Sequence, residues 1–526
     1  MSNSSDLSKR PDKGAFALLC LVLLLTGPCS LAQARSNANN AETKTTKTEI
    51  VTVDTNAQAS PFPHFWEHIL GSGRAILSLR DSYRQDLKIC KDSFDIRYVR
   101  FHGIFHDEVG VYDETPDGKP VYNFSYVDQI YDGLLAQKVR PFVELSFMPK
   151  KLASREMLHS FWYKQNVAPP KDMKRWKELI AAFAEHLVER YGISEVSNWY
   201  FEVWNEPNID FWGGEPKEDT YFELYDATAR TLKDVHPLLK VGGPATAQAA
   251  WVDRFIDYCA KNRTPVDFVT THVYGDDSAK DALGEDRPLG RDEMVAAAMK
   301  KVYDQVKRSS KPNLPIIWSE YNASFANHPE VTDSEMMAPW LANHIKLSAG
   351  LADEIAYWTF SDVFEEQGVC KKPFYGGFGL IAPNGIPKAS FQAFNLLKRL
   401  ADKRLPVEPE TAPVLATQMD DGQLILAVWN YAGEKNEGKT RRFQFLIKDA
   451  DSYAKGTCHT INKTHGSSYR NWQNMGSPTY PTKAQIEKLR TDSQPLTEFV
   501  AAKDLELELQ PNELRVVIFV KKSKKR

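Results

Sequence analysis

The stretch Trp199–Asn208 reads WYFEVWNEPN, and the segment just before it in the chain has a pattern typical of a helix. The first residues of the stretch are mostly apolar or aromatic, which predicts a buried strand with Asn205 and Glu206 at its carboxyl end. In the preceding segment the apolar side chains recur every three or four residues and the pattern closes at Gly192, as in an amphipathic helix. The apolar positions of that helix are Trp176, Leu179, Ile180, Phe183, Leu187 and Tyr191.

The same alternation of short apolar runs and helical patterns extends over residues 62–402. Eight such units predict a closed (β/α)8 TIM barrel, an α/β fold, rather than an open sheet. The candidate strands are Phe65–Ile69, Ile96–Phe101, Arg140–Leu145, Trp199–Val203, Lys240–Gly242, Asp267–Thr271, Ile316–Ser319 and Ile355–Trp358.

After residue 402 the pattern changes to strands separated by turn residues. This predicts an accessory C-terminal β-sandwich domain over residues 403–526. Residues 48–61 precede the barrel and begin with TEIVTV, a strand that we expect to join the sandwich. The candidate strands of the second domain are Leu424–Asn430, Arg442–Ile447, Leu505–Leu509 and Leu514–Val520.

The amino terminus has the pattern of a signal peptide. Three basic residues precede an apolar run at residues 15–26, and Ala32-Gln33-Ala34 has the form of a cleavage site. We therefore expect residues 1–34 to be removed near Ala34, residues 35–47 to form a flexible leader, and the protein to be secreted or periplasmic. A lipoprotein anchored at Cys29 ranks second because Pro28 departs from the usual pattern. The apolar run is too short for a membrane span.

Charge and cysteine content exclude several classes of protein. The 526 residues contain 66 Lys+Arg against 69 Asp+Glu, and this balance argues against a nucleic-acid partner. The short basic tail at residues 521–526 is typical of a solvated chain end. Two of the six cysteines fall in the signal peptide, and the other four lack the spacing of a zinc site. Those four are Cys90, Cys259, Cys370 and Cys458, and their disulfide pairing is left open.

Polar and aromatic residues gather at the predicted carboxyl ends of the strands, where the loops of a TIM barrel build the active site. Each residue alone has a structural explanation, such as helix capping for a glutamate or core packing for a tryptophan. Their common position at one end of the barrel predicts a functional site instead. The candidates are His102, Asn205, Glu206, His272, Tyr274, Glu320, Trp358, Phe360, Glu365 and Glu366.

Carboxylates at the ends of strands four and seven can face one sugar from two sides. At a separation of roughly 5–5.5 Å, one attacks the anomeric carbon while the other protonates the leaving oxygen. We expect burial beside Trp204 and Trp212, together with the charge of the second glutamate, to raise the pKa of the acid. Asn205 is placed to bind the sugar 2-hydroxyl.

A metal site ranks far below this pair of carboxylates. His64 and His68 share the i, i+4 spacing of His102 and His106, but neither pair forms the HExxH motif. Both pairs fall in predicted strand or loop, where residues four apart are not brought next to each other as they are on a helix. We therefore predict neither a metal nor another cofactor.

The ordered set of motifs resembles glycoside hydrolase family 39, which contains β-xylosidases and α-L-iduronidases. The resemblance extends from about residue 62 to the carboxyl terminus and includes the second domain. The motifs are RYVRFHGIFHDEVGVY at 97–112, YFEVWNEPN at 200–208, FWGG at 211–214, THVY at 271–274, SEYNAS at 319–324, YWTFSDVFEE at 357–366, PFYGGFGLI at 373–381 and GSPTYPT at 476–482.

This resemblance implies a role for each candidate residue. Glu206 would be the general acid/base and Glu320 the nucleophile of a retaining enzyme. Asn205 would bind the 2-hydroxyl. The remaining candidates would order the sugar and the nucleophile (His102, His272, Tyr274), form apolar walls (Phe211, Trp358, Phe360), or bind hydroxyls at the far side of the sugar (Glu366 or Glu365).

The acidic DVFEE segment favours the xylosidase branch, because an iduronidase needs a cation against the carboxylate of its substrate. The resemblance therefore implies an exo-acting β-xylosidase whose partner is an oligo- or polysaccharide. An endo-acting enzyme, or one directed at arabinose- or galactose-containing chains, is the alternative. A non-catalytic sugar-binding protein ranks last, since both carboxylates are present. Homo-oligomerisation is left open.

Overall fold

The computed structural model describes residues 47–522. The predicted signal peptide with Cys20 and Cys29, the leader up to residue 46 and the last four residues of the basic tail lie outside the described residues. Among the described helices, none is both long and apolar enough to cross a membrane.

Eight parallel strands close into a barrel in which each strand pairs with the next and strand eight pairs with strand one. The predicted (β/α)8 fold is thereby confirmed. Barrel strands one to eight are Ile69–Arg74, Tyr98–His102, Arg140–Leu145, Tyr200–Val203, Lys240–Thr246, Phe268–Tyr274, Ile316–Asn322 and Glu354–Tyr357.

Helices follow every barrel strand and cover its outside. The longest predicted helix runs over Met173–Tyr191, begins with a hydrogen bond from the Lys174 N–H to the Asp172 side chain, and ends at Gly192 with φ 79°. The α-helices of the barrel region are Asp81–Ser93, Ser125–Leu135, Met173–Tyr191, Ile193–Val196, Lys217–Val235, Val252–Asn262, Ala279–Leu283, Arg291–Arg308, Met337–Ser348 and Ala389–Leu397. Short 3-10 helices at Ala75–Leu79 and Ala247–Ala249, a π-helical turn at Pro329–Asp333 and two hairpins (Tyr112–Glu114 with Pro120–Tyr122, Ile381–Ala382 with Ile386–Pro387) complete this region.

The first barrel strand is the clearest error of the sequence prediction. Residues 65–68, predicted as its start, form a turn, and the strand runs instead through ILGSGR. Glycine suggests a turn in the sequence, but here Gly71 allows close packing. A Cβ at Gly71 would lie 2.2 Å from the indole of Trp358 on strand eight, so only glycine leaves room for that ring.

Two sheets pack face to face after the barrel and share one apolar core. The strand Thr48–Val53 pairs in parallel with Arg441–Ile447, so the start of the described chain lies in this domain. The smaller sheet contains Val407–Glu408, Thr48–Val53, Arg441–Ile447 and Glu506–Leu509. The larger one contains Ser60–Pro61, Lys403–Leu405, Val414–Gln418, Leu424–Asn430, Glu513–Phe519, Gly456–Ile461 and Leu496–Val500.

An insertion between Gly456–Ile461 and Leu496–Val500 carries the helices Ser468–Asn474 and Lys483–Thr491. A 3-10 turn at Ala450–Ser452 precedes it. Cys90, Cys259, Cys370 and Cys458, whose pairing the sequence left open, are unpaired thiols.

Candidate active site

A cavity of about 540 Å³ opens at the carboxyl ends of the barrel strands. Eight of the predicted residues line it together: His102, Asn205, Glu206, Phe211, Tyr274, Glu320, Trp358 and Glu366. His272 is fully buried and hydrogen-bonded to Glu206. Phe360 and Glu365 do not line the cavity.

Glu206 and Glu320 approach each other across this cavity. One carboxylate oxygen of each lies within 4.8 Å of the other and of a ring nitrogen of His272. Carboxyl groups about 5–5.5 Å apart suit nucleophilic attack with retention, whereas inversion needs roughly 6.5–9.5 Å to admit a water molecule. The spacing therefore favours a double displacement.

The backbone around Glu206 is held in an uncommon conformation. Both Trp204 (φ 72°) and Glu206 (φ 45°) have positive φ, and the Glu206 N–H donates to the Ala245 carbonyl at 2.7 Å. For non-glycine residues this conformation costs about 1–3 kcal/mol and tends to occur at functional sites. It places the Glu206 carboxyl over the cavity at the end of a rigid strand.

Burial raises the pKa of Glu206 to about 7, while the cations of His102 and Arg100 lower it. The carboxylates that raise it further are Asp210 and Glu144. Burial is therefore the main cause, as predicted from the sequence, but the charge of the second glutamate, Glu320, which was also expected to raise this pKa, is not one of its main causes. Near neutral pH a large share of the molecules carries the proton that a general acid needs.

His272 contacts Glu206 without lending it a charge. Its Nδ1 lies 2.9 Å from Glu206 Oε1, and its Nε2 lies 3.1 Å from the Ser319 hydroxyl. Burial lowers the pKa of His272 to about 4, so the imidazole is neutral at pH 7. A neutral ring orients the acid and leaves its proton in place.

Glu320 has the surroundings of an anion. Arg100 Nη1 lies 2.7 Å from its Oε1, and the Tyr274 hydroxyl donates to its Oε2 at 2.6 Å. Hydrogen bonds to a charged acceptor are stronger than neutral ones and fix its direction. Glu320 is thus held as an oriented carboxylate, the form that a nucleophile requires.

The sequence prediction did not include Arg100, which lies at the centre of the buried network. Its fully buried guanidinium contacts Glu144, Glu202 and Glu320 at 2.6–2.9 Å. The sequence did indicate this position, because residues two apart on a barrel strand point to the same side, so Arg100 shares the inward face of His102. Glu144 and Glu202 also lie on barrel strands and pair in register.

Two further contacts link Arg100 to the cavity. Arg100 Nη2 donates to Asn205 Oδ1 at 2.9 Å, so the Asn205 amide NH2 is the group left to donate to a ligand. His102 Nδ1 lies 2.7 Å from Glu144 Oε2. Burial lowers the pKa of His102, but the charge of Glu144, its hydrogen bond to the ring and the charge of Glu320 outweigh burial and leave that pKa raised.

The predicted positions of Phe360 and Glu365 in the cavity wall are wrong. Strand eight ends at Tyr357, so the alternation that would have placed Phe360 beside Trp358 stops, and Phe360 packs edge-on against Tyr83 at 4.9 Å. Glu365 has φ 68°, which turns its side chain away from the cavity. It forms ion pairs with two arginines, Arg74 and Arg80.

Glu366 is the acidic residue of this loop that faces the cavity. Burial raises its pKa well above the ordinary value, and the charges of Glu320 and Glu206 raise it further. A protonated carboxyl can donate a hydrogen bond to a sugar hydroxyl.

The rest of the cavity wall comes from loop residues outside the motifs, except for Phe378, which lies in the motif at 373–381. His159 stacks on Phe211 with ring centroids 4.1 Å apart, and no sequence pattern connects the two. The other lining residues that sequence analysis missed include Phe161, Asp210, Gln248, Asp277, Phe325, Gln367 and Phe378.

The histidines considered as metal ligands have other partners. His64 contacts Glu67 and the Leu400 carbonyl, and His68 contacts Glu354. His106 contacts the Tyr163 carbonyl. Each pair is therefore divided between separate hydrogen-bonding environments.

Comparison with known proteins agrees with this geometry. The sequence-family model for glycosyl hydrolases family 39 matches residues 49–506. The chain belongs to this family. It is therefore a glycosidase, as the resemblance implied.

Relatives within family 39 cover most of the chain. A β-xylosidase from Geobacillus stearothermophilus is 39% identical over 485 residues, 89% of this chain and 95% of its own. A β-xylosidase from Caldicellulosiruptor saccharolyticus is 36% identical over 456 residues, 84% of this chain and 90% of its own. The crystal structure of a monomeric β-xylosidase from Caulobacter crescentus CB15 has a TM-score of 0.81 and 32% identity, with 90% of this chain and all of that chain covered.

Proposed function

We propose that this family 39 glycosidase is an exo-acting β-xylosidase that works by double displacement. The observation that carries the proposal is the approach of the Glu206 and Glu320 oxygens to within 4.8 Å across one cavity. The named β-xylosidases among its relatives support the choice of xylose.

In the first step a Glu320 oxygen bonds to the anomeric carbon as the bond to the leaving oxygen breaks. The Glu206 proton passes to that oxygen, and an alcohol departs. In the second step the Glu206 carboxylate takes a proton from water, the water oxygen bonds to the anomeric carbon, and the bond to Glu320 breaks. Both glutamates return to their starting states, and the product keeps the β configuration.

The surroundings of the cavity support a small neutral glycone. Trp358, Phe211 and Phe378 give apolar walls, and Asn205 and Glu366 provide hydrogen-bonding groups. The burial and the negative charges of Glu320 and Glu206 that raise the pKa of Glu366 would also disfavour a sugar carboxylate at this place.

A screen of aryl glycosides tests the proposal. We expect turnover of the β-xyloside to exceed that of the arabinoside, glucoside and galactoside, and NMR of the first product to show the β anomer. An α anomer as first product would refute double displacement. Release of oligomers rather than xylose from a long xylan would refute exo action.

We also propose that the protein is exported. The basic residues before the apolar run at residues 15–26, and the Ala32-Gln33-Ala34 site, support this. Cell fractionation followed by amino-terminal sequencing should give an extracytoplasmic protein that starts near residue 35. An intact amino terminus on active cytoplasmic protein would contradict export.

A further inference from the structure

The segment that follows barrel strand five is strained where it borders the cavity. Three of its non-glycine residues have positive φ, namely Gln248 (59°), Ala249 (51°) and Trp251 (62°), and so does Ala245 (53°) near the end of the strand itself. Backbone strain of this kind persists only where the surrounding structure imposes it, and it clusters at ligand sites. Gln248 lines the cavity, but neither displacement step uses it.

A buried carboxyl, Asp277, lies on the same side of the cavity after strand six. Its Oδ2 accepts the Tyr274 N–H at 2.7 Å. Burial raises the pKa of Asp277 to about 7 and the charge of Glu206 raises it further, while the Tyr274 N–H and the neighbouring Gln248 side chain lower it. This polar pair is not part of the catalytic machinery described above.

Phe325 completes this wall from the loop after strand seven. It lines the cavity, yet 58% of its surface is exposed. Its ring lies nearly perpendicular to that of Tyr274, with centroids 6.5 Å apart, and its exposure leaves aromatic surface available to a ligand. An exposed aromatic face beside polar groups suits a pyranose ring, which has an apolar face and a rim of hydroxyls.

The order of strands in the barrel tells which part of the substrate these residues meet. Trp358 and Glu366 follow strand eight, and His102 ends strand two, so this part of the glycone wall lies around strands eight to two, while Asn205 and Phe211 complete it after strand four. Gln248 and Asp277 follow strands five and six, on the opposite side of the closed barrel. Glu206 protonates the oxygen that joins the glycone to the leaving group. Residues on the side of the cavity opposite the glycone therefore face the leaving group.

We propose that Gln248, Asp277 and Phe325 form a subsite that selects a second sugar ring as the leaving group. Gln248 and Asp277 bind its hydroxyls, and Phe325 supports its apolar face. This inference rests on the proposed division of roles between Glu206 and Glu320. The three residues set specificity for the leaving group and take no part in bond making.

Three substrates with one glycone separate this role from an effect on the acid. A disaccharide needs both protonation and a sugar subsite. A methyl glycoside needs protonation, but its leaving group carries no further hydroxyl. An activated aryl glycoside needs little protonation. All three substrates carry the glycone that the parent enzyme hydrolyses best. If that glycone is not xylose, the xylose assignment fails, but the test of the subsite is unaffected.

The variants are Asp277→Asn, which keeps an oxygen for the Tyr274 N–H, and Gln248→Asn, because asparagine tolerates positive φ. We expect each to lower kcat/KM for the disaccharide roughly tenfold or more, with the methyl and aryl glycosides within about twofold of the parent. Phe325→Ala should raise KM for the disaccharide alone. Tyr480→Ala, at an exposed residue of the second domain, is the matched control.

Two results would overturn the subsite. If the disaccharide and the methyl glycoside lose activity together, Asp277 and Gln248 act through Glu206. If all three substrates keep parental kcat/KM in both variants, the polar pair does not contact the leaving group.

Discussion

The pH dependence of disaccharide cleavage follows from the burial of Glu206. With a pKa of about 7, half of the enzyme carries the acid proton at pH 7. A glutamate with an ordinary pKa of about 4.3 would be protonated in only roughly 0.2% of molecules at that pH. Burial therefore increases the competent fraction by about two orders of magnitude. Because the proton is lost as pH rises, activity falls on the alkaline side.

The assay is kcat/KM for an unactivated disaccharide between pH 5 and 9, which reports the pKa values of the free enzyme. We expect an alkaline limb that bends near pH 7 and then falls about tenfold per pH unit. An activated aryl glycoside should show a much weaker limb, since its leaving group departs without the proton.

Glu206→Gln provides the control for this prediction. The variant should lose roughly 10²–10⁴-fold on the disaccharide, far less on the activated substrate, and show no limb near pH 7. Azide should restore part of the activity of Glu206→Ala on the activated substrate. Parental disaccharide cleavage by Glu206→Gln, or an unchanged limb in that variant, would refute the assignment of the acid.

Three further substitutions test the surroundings of the carboxylates. Tyr274→Phe removes the hydrogen bond to Glu320 and should lower kcat/KM roughly ten- to hundred-fold without loss of thermal stability; Tyr480→Phe is its control. Arg100→Met leaves buried carboxylates unpaired and should lower the free energy of unfolding in urea by about 3–5 kcal/mol as well as abolish turnover; an unchanged urea midpoint would contradict the network. Gly71→Ala should destabilise the protein by about 1–3 kcal/mol and raise KM, because its Cβ collides with Trp358; unchanged melting and KM would contradict that packing.

The fold could be predicted because the barrel strands are buried on both faces and read as continuous apolar runs. Strand three was placed at Arg140–Leu145 with both bounds as observed. Strand one was misplaced because its Gly71 serves the packing of Trp358, a contact between residues far apart in sequence. Local patterns do not contain such contacts.

In the candidate site, too, some residues could be predicted from the sequence and others could not. The residues at strand ends could be identified from the barrel prediction, since the strand fixes where its carboxyl end lies. Glu365 and Glu366 are adjacent, and only the positive φ of Glu365 separates their directions. Arg100 was overlooked although its inward position follows from that of His102 two residues later. The loop residues Gln248, Asp277 and Phe325 came together only in three dimensions.

The second domain contributes to this site by holding two of its loops. Arg470, on the inserted helix Ser468–Asn474, pairs with Glu330 and Glu335, which follow Phe325 in the loop after strand seven. Phe374, from the loop that carries Glu366, packs on Trp472 of the same helix with ring centroids 5.4 Å apart. The loops on both sides of the cavity mouth thus rest on one insertion. Glycone and leaving-group walls are therefore positioned relative to each other by the sandwich as well as by the barrel.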